Sequence, residues 1–200
     1  MTLAMPAGVS TDPGLITRHL LDWRAGDADA LTRLTTAIYA ELRRLAAAVL
    51  NSRYGHDSIQ ATELVHEFYL ELPGLQQVDF EGRAHFLNLT ARVMRTILID
   101  RARQRMTARR GGQPVTLRFD SQVTDQAMEV DVLLVNEALD RFAEKYPRQA
   151  QVVELRFFGG LTAEETANAM TVSGFETSLR SVERDWRFSK AWLHNAIAPR

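Results

Sequence analysis

The sequence predicts an all-α protein, and three observations carry that expectation. Apolar residues recur at spacings of three and four along most of the chain, and no segment sustains the alternation of a strand. Start and stop signals punctuate those runs, with Asp, Thr or Ser ahead of them and Gly or Pro behind. One stretch around Gly111-Gly112-Gln113-Pro114 breaks the periodicity and separates the helices into two groups.

Residues 1–10 read as a disordered tail. Thr11-Asp12-Pro13 starts the first helix, a capping side chain ahead of a proline preset to helical φ. That helix turns Ile16, Leu20, Leu21 and Trp23 inward and ends near Gly26, after which Asp27 caps the next. The second helix runs to about Leu50 on a stripe of Leu31, Leu34, Ile38, Leu42 and Leu45. A loop containing Gly55-His56-Asp57 follows, and Ser58 is expected to begin a third helix that ends near Pro73-Gly74. The fourth, over about residues 83–105, buries Phe86, Val93, Met94, Ile97 and Leu98. Residues 107–128 then read as a flexible linker in which residues 115–119 are extended and weakly anchored.

The last third holds the most specific pattern. Val152, Val153, Leu155, Phe157 and Phe158 form an apolar run that stops at Gly159-Gly160, because glycine takes the left-handed conformation that closes a last turn. Thr162-Ala163-Glu164-Glu165 fits a capping box, in which Thr162 and Glu165 each satisfy the other's backbone N–H. The short helix it opens carries the small residues Ala163, Ala167 and Ala169, which allow another helix to pack closely. Ser178 starts a further helix with Leu179, Val182, Trp186, Ser189 and Leu193 facing inward and Arg180, Arg184, Arg187 and Lys190 outward. Two short helices, the second basic on its outer face, describe a helix-turn-helix that inserts side chains into a DNA major groove.

Composition narrows the classes. With 200 residues and 46% hydrophobic content, the chain suits one or two packed domains. It has no cysteine, which removes disulfides, thiol catalysis and cysteine-ligated zinc. No signal-peptide pattern or membrane-length apolar run occurs, so a cytoplasmic, soluble protein is expected. The net charge is only −1, but residues 92–110 contain seven arginines and the single acid Asp100, a local footprint for phosphate. Catalysis is not expected. His66-Glu67 would need a second histidine where Leu70 stands, the five histidines lack ligand spacing, and there is no phosphate loop or nucleophile elbow. No metal or cofactor is therefore expected.

RQAQVVELRFFGGLTAEETANAM with SVERDWRFSKAWL resembles the C-terminal promoter-reading domain of extracytoplasmic-function sigma factors, the small bacterial transcription initiation factors of the sigma-70 family. The resemblance extends over most of the chain. It implies a region-two domain at residues 11–106, a linker at 107–128 and a region-four domain at 129–200. One departure is the segment 171–177, longer than the family's usual tight turn. The resemblance implies core RNA polymerase as partner, through the clamp helices of its largest subunit and the flap of the second. It also implies promoter DNA, duplex at −35 and opened at −10, with Arg180, Ser181, Glu183, Arg184, Arg187 and Lys190 on the −35 element.

The third and fourth helices carry the other two surfaces. Glu63, Glu67 and Glu71 form an acidic ridge whose like charges at i, i+4 cost about 0.2–0.5 kcal/mol per pair, so folding alone does not favour it. QATELVHEFYLEL resembles the family's clamp-helix docking segment and implicates Gln60, Thr62, Glu63, Glu67 and Glu71. The family commonly has an acidic triplet where Gln60, Thr62 and Glu63 stand, and this chain resembles the branch that lacks it. A phosphate on Thr62 would restore about −1.5 to −2 charges, which makes a Ser/Thr kinase an expected partner. GRAHFLNLTARVMRTILIDRARQR resembles the segment that holds the unwound −10 strand, implicating Phe80, Arg83, His85, Asn88, Arg92, Arg95 and Arg103. The alternative reading is a stand-alone helix-turn-helix repressor or activator that binds duplex DNA as a dimer. The acidic third helix and the lack of a dimerisation heptad argue against it.

Overall fold

Pro13 opens helix α1 (Pro13–Arg24), as its fixed φ leads one to expect, and Gly26 closes it with φ 91°. The computed structural model describes residues 13–27, 29–51, 60–75, 82–108, 116–119 and 128–197. The expected tail, the capping residues Thr11 and Asp12, and the loop at 52–59 lie outside them. Ile16, Leu20 and Trp23 are buried, but Leu21 is 48% exposed. Adjacent residues point about 100° apart on a helix, so a narrow stripe holds Leu20 and not its neighbour. The Asp27 carboxylate accepts the Asp29 N–H at 2.9 Å ahead of α2 (Ala30–Asn51), whose Leu34, Ile38, Leu42 and Leu45 are fully buried.

Helix α3 (Ala61–Glu71) starts three residues later than Ser58 predicts. Gln60 is extended, with φ −80° and ψ 152°, and its N–H is accepted by the Glu63 carboxylate at 3.1 Å. Glu63 at the third helical position thus fixes the start, and Ser58 falls outside the described residues. Leu64, Val65, Phe68 and Leu72 face inward as read. Helix α4 (Arg83–Ala108) packs against α1 and α3 and completes an N-terminal bundle, with Phe86 edge-to-face on Phe68 at 6.1 Å.

The expected linker is partly built. Strand β1 (Thr116–Phe119) pairs antiparallel with β2 (Met128–Asp131), in register from Thr116 opposite Asp131 to Phe119 opposite Met128. The β-branched and aromatic residues of 116–119 suit a short ladder that a search for sustained alternation passes over. Asp131 ends the ladder and caps α5 (Val132–Lys145) by accepting the Leu133 N–H at 2.9 Å. The fold remains all-α, with this ladder as its one departure among the described residues.

Helix α6 (Pro147–Val153) continues into a π turn at Glu154–Phe158, closed by Gly159 N–H donating to the Glu154 carbonyl. The extra residue in the turn lets Leu155, Phe157 and Phe158 all reach the core. Burying each phenylalanine contributes about 1.5–3 kcal/mol. Helices α7 (Ala163–Val172) and α8 (Leu179–Ile197) follow, and α8 lies across α5 and α6. One buried cluster runs through both helix groups, from Ile16 to Leu193.

The seam between the groups is α4. Its Asn88, Ala91, Arg92 and Arg95 share a face that meets α5, α7 and the π turn. The glycine pair, read as a helix stop, is also the point of closest approach. Only Gly160 has positive φ, +65°, and a Cβ there would lie 2.6 Å from the Leu45 carbonyl of α2. A Cβ on Gly159 would lie 2.7 Å from that of Ala91.

Comparing glycine substitutions separates strain from close approach. Gly26→Ala, with open space around it, should lose about 1–2 kcal/mol of stability from left-handed backbone alone. Gly160→Ala should lose at least about 1–3 kcal/mol more, because α2 must also give way. Urea denaturation of the two proteins checks the difference.

Candidate nucleic-acid interface

The outer face of α8 is assembled from its first turn. Ser178 and Ser181 cap each other, the Ser178 N–H donating to Ser181 Oγ at 2.8 Å and the Ser181 N–H to Ser178 Oγ at 3.3 Å. Ser181 is thereby a cap partner, half-buried, rather than part of the outward row. Arg180, Glu183, Arg184 and Arg187 are exposed and fall within one arc of the helix. Lys190 is not with them: it is 3% exposed, with Nζ over the Trp186 ring at 5.6 Å. One turn beyond Trp186, it lies at the edge of the buried face, so its stem packs inward. Leu179, expected inside, is 43% exposed: at the first position of α8 it lies uncovered by the described residues.

The segment 171–177 closes α7 and orients α8. Gly174, φ +85°, ends α7 with its N–H on the Thr171 carbonyl and the Phe175 N–H on that of Met170, a Schellman closure. Arg148 of α6 then ties the segment down. Its guanidinium donates to the Glu176 carbonyl at 3.0 Å, to Thr177 Oγ1 at 2.9 Å and to Asp185 Oδ2 at 2.8 Å. Asp185 is buried on α8 and also accepts from Gln149 Nε2 at 3.3 Å. Sequence reasoning missed this anchor. The signal was available, since Asp185 sits three residues after Val182 and four before Ser189, on the apolar face. Arg156, 5.1 Å from the Trp186 ring, is held below its ordinary pKa by burial, against the pull of Glu183.

The α4 residues occupy a different setting. Asn88 is buried and donates to the Ala169 carbonyl at 2.8 Å and Ser173 Oγ at 3.1 Å, while accepting from Gln151 at 3.3 Å. Arg83 bonds Glu41 at 2.5 Å and lies 3.4 Å from Glu165, which Arg44 meets at 2.6 Å. Arg95 donates to Asn136 at 2.7 Å and Asp140 at 2.5 Å. Arg92 is exposed, 3.9 Å from Glu154, and Arg103 is exposed beside Asp100 at 3.6 Å. His85 is half-buried, and Phe80 lies outside the described residues.

On α3, the ridge is partly committed within the chain. Glu63 caps its own helix and Glu67 pairs with Arg101 of α4, whereas Glu71 is exposed. Thr62 is exposed at the second helical position, inside the first turn, and Gln60 is exposed at the cap. A cleft of about 500 Å³ opens between α3 and α4, lined by Glu67, Leu70, Glu71, Arg92, Val93 and Asp100 among others. Leu70 is 73% exposed at its edge.

The family model described as ECF sigma factor matches residues 14–198, from α1 through the end of α8. The chain belongs to the ECF sigma factor family. Membership makes it a regulatory factor of transcription initiation that engages RNA polymerase core and promoter DNA. Comparison with curated proteins and with solved structures finds no match. No helix among the described residues is long and apolar enough to cross a membrane, and no cluster of metal-binding side chains occurs among them.

Two acids at the seam of this sigma factor titrate in opposite directions. Burial alone would raise Glu165, but the Thr162 N–H and hydroxyl together with Arg44 and Arg83 outweigh it and hold the carboxyl below its ordinary 4.5. Burial raises Glu154, against Arg95 and Arg92. A lowered carboxyl stabilises the fold above its unfolded pKa and loses that contribution as pH falls through the folded value. Glu165→Gln should therefore flatten the loss of stability below the ordinary value of 4.5, whereas Glu154→Gln should flatten a decline as pH rises through it. Thermal melts of the three proteins across the acid range check both signs.

Proposed function

We propose that this sigma factor directs core polymerase to promoters by dividing the work among three surfaces: the outer face of α8, the α3 ridge, and α4 with the loop before it. Residues 129–200 read the −35 duplex, with Arg180, Glu183, Arg184 and Arg187 toward the major groove. Residues 11–106 dock on the clamp helices through Gln60, Thr62, Glu63, Glu67 and Glu71. The same part holds the opened −10 strand along α4 and the preceding loop, and the chain acts in the cytoplasm where polymerase works. The observation that carries the reading is the exposed row of three arginines and Glu183 on α8, held by the Arg148–Asp185 anchor.

The assignment on α8 is tested by substitution. Arg184→Ala should weaken −35 recognition by about 1–3 kcal/mol, read by footprinting with core enzyme, with core affinity unchanged. Lys190→Met should leave the footprint in place, since Lys190 is buried beside Trp186. A lost footprint for Lys190→Met with an intact one for Arg184→Ala would contradict the assignment.

Thr62 supplies the switch within this reading. A hydroxyl offers no charge where the family commonly carries an acid, so the unmodified protein docks poorly on a basic polymerase surface. At the second position of α3, a phosphate meets free N–H groups and the positive helix end, which favours an anion by about 0.3–1 kcal/mol. Kinase-treated protein should bind core more tightly and transcribe, and Thr62→Ala should do neither. Full activity of Thr62→Ala, in cells and in vitro, would contradict the switch.

A further inference from the structure

Phe188 lies on the outer side of α8 although its chemistry does not favour contact with water. It is 42% exposed and stands one turn beyond Arg184 on the same side of the helix. Loose packing does not explain its exposure. The ring meets Tyr146 edge-to-face at 5.1 Å and lies 6.0 Å from Phe142, whose own ring is 4.7 Å from Trp192. Phe142 is fully buried, so this cluster roots Phe188 in the core and still leaves part of the ring outside. A ring with two side-chain torsions, held by two other rings, has little freedom left to lose on binding.

The surroundings indicate what the exposed part meets. Arg184 and Arg187 are exposed on the same helix, and Lys145 of α5 is exposed with Nζ 5.6 Å from the Tyr146 ring. An apolar spot with cations on both sides suits a polyanion that carries an apolar point between its phosphates. In the major groove of duplex DNA that point is the C5-methyl of thymine, which no other base carries. We infer that Phe188 is a specificity-determining residue that packs on a thymine methyl at one end of the −35 element. The inference rests on α8 being the −35 reading face and adds a base to that reading. Arginines alone favour guanine and phosphate, so Phe188 extends the readout to an A·T pair. Its place four residues after Arg184, about 6 Å along the helix axis, puts that thymine within about two base pairs of the base that Arg184 reads.

The test removes the methyl and leaves everything else. Holoenzyme is assembled from core enzyme and kinase-treated full-length protein, and its −35 element is selected from a library randomised in that region. Each thymine of the selected element is then replaced singly by deoxyuridine, which lacks the C5-methyl and pairs in the same way. With the wild type, one such replacement should weaken binding about fourfold, the worth of one buried methyl. Phe188→Ala should bind the thymine and deoxyuridine duplexes equally at that position and keep its other base preferences. Phe188→Leu, which keeps the place in the aromatic cluster filled, should cut the difference to about twofold. A selected element in which no thymine methyl matters to the wild type would overturn the inference, and that arm needs no variant. So would either variant discriminating at that thymine as the wild type does, whether it binds all duplexes more weakly or loses core enzyme as a polymerase contact would. The −35 reading is judged separately through Arg184→Ala. An intact footprint with that variant rejects the reading itself, whereas a lost footprint without any methyl effect rejects only the role of Phe188.

Discussion

The close approach at Gly159-Gly160 sets the arrangement of the two helix groups. No side chain larger than hydrogen fits at Gly160, because its backbone conformation and the Leu45 carbonyl both forbid one. The preceding π turn brings three large apolar residues into the core within four positions and delivers the chain to that point. From there the capping box at Thr162 starts α7 in the one direction that puts Ala169 over Asn88 and Glu165 between Arg44 and Arg83. A packing constraint two residues long thus decides which polar groups meet.

Those meetings give the charge distribution its meaning. A chain with net charge −1 is a weak attractor of DNA as a whole, and its arginines act locally. On α8 they stand exposed beside the pair of half-buried Arg148 and buried Asp185, which fixes the helix without using the reading face. On α4 they are largely spent on carboxylates of the same chain. The two arginine surfaces therefore differ in availability, and the difference comes from what each packs against rather than from the residues themselves.

Much of this was legible in the sequence, and the failures share a cause. The helices, the Thr162–Glu165 capping box, the Ser178 start and the stripes of α2 to α4 depend on spacing and local capping, which a sequence displays directly. Leu21, Leu179 and Lys190 were misjudged because each lies at the edge of a stripe or the end of a helix, where burial depends on the neighbouring element. Ser58 signals a start because serine is a good cap by itself, but α3 begins after Gln60, where Glu63 accepts the Gln60 N–H three residues on. The β1–β2 ladder is too short to show alternation. The pairs Arg148–Asp185, Arg83–Glu41 and Arg95–Asp140 join residues 37 to 45 positions apart, and periodicity carries no trace of such partners.

The central claim is that promoter recognition by this chain requires core polymerase. Run-off transcription from a random-sequence promoter library, with core enzyme and phosphorylated protein added separately and together, tests it most directly. The account predicts specific transcripts only when both are present, with the selected promoters sharing separate −35 and −10 elements. Tight, sequence-specific binding of the protein alone to a duplex, with no association with core enzyme, would contradict it.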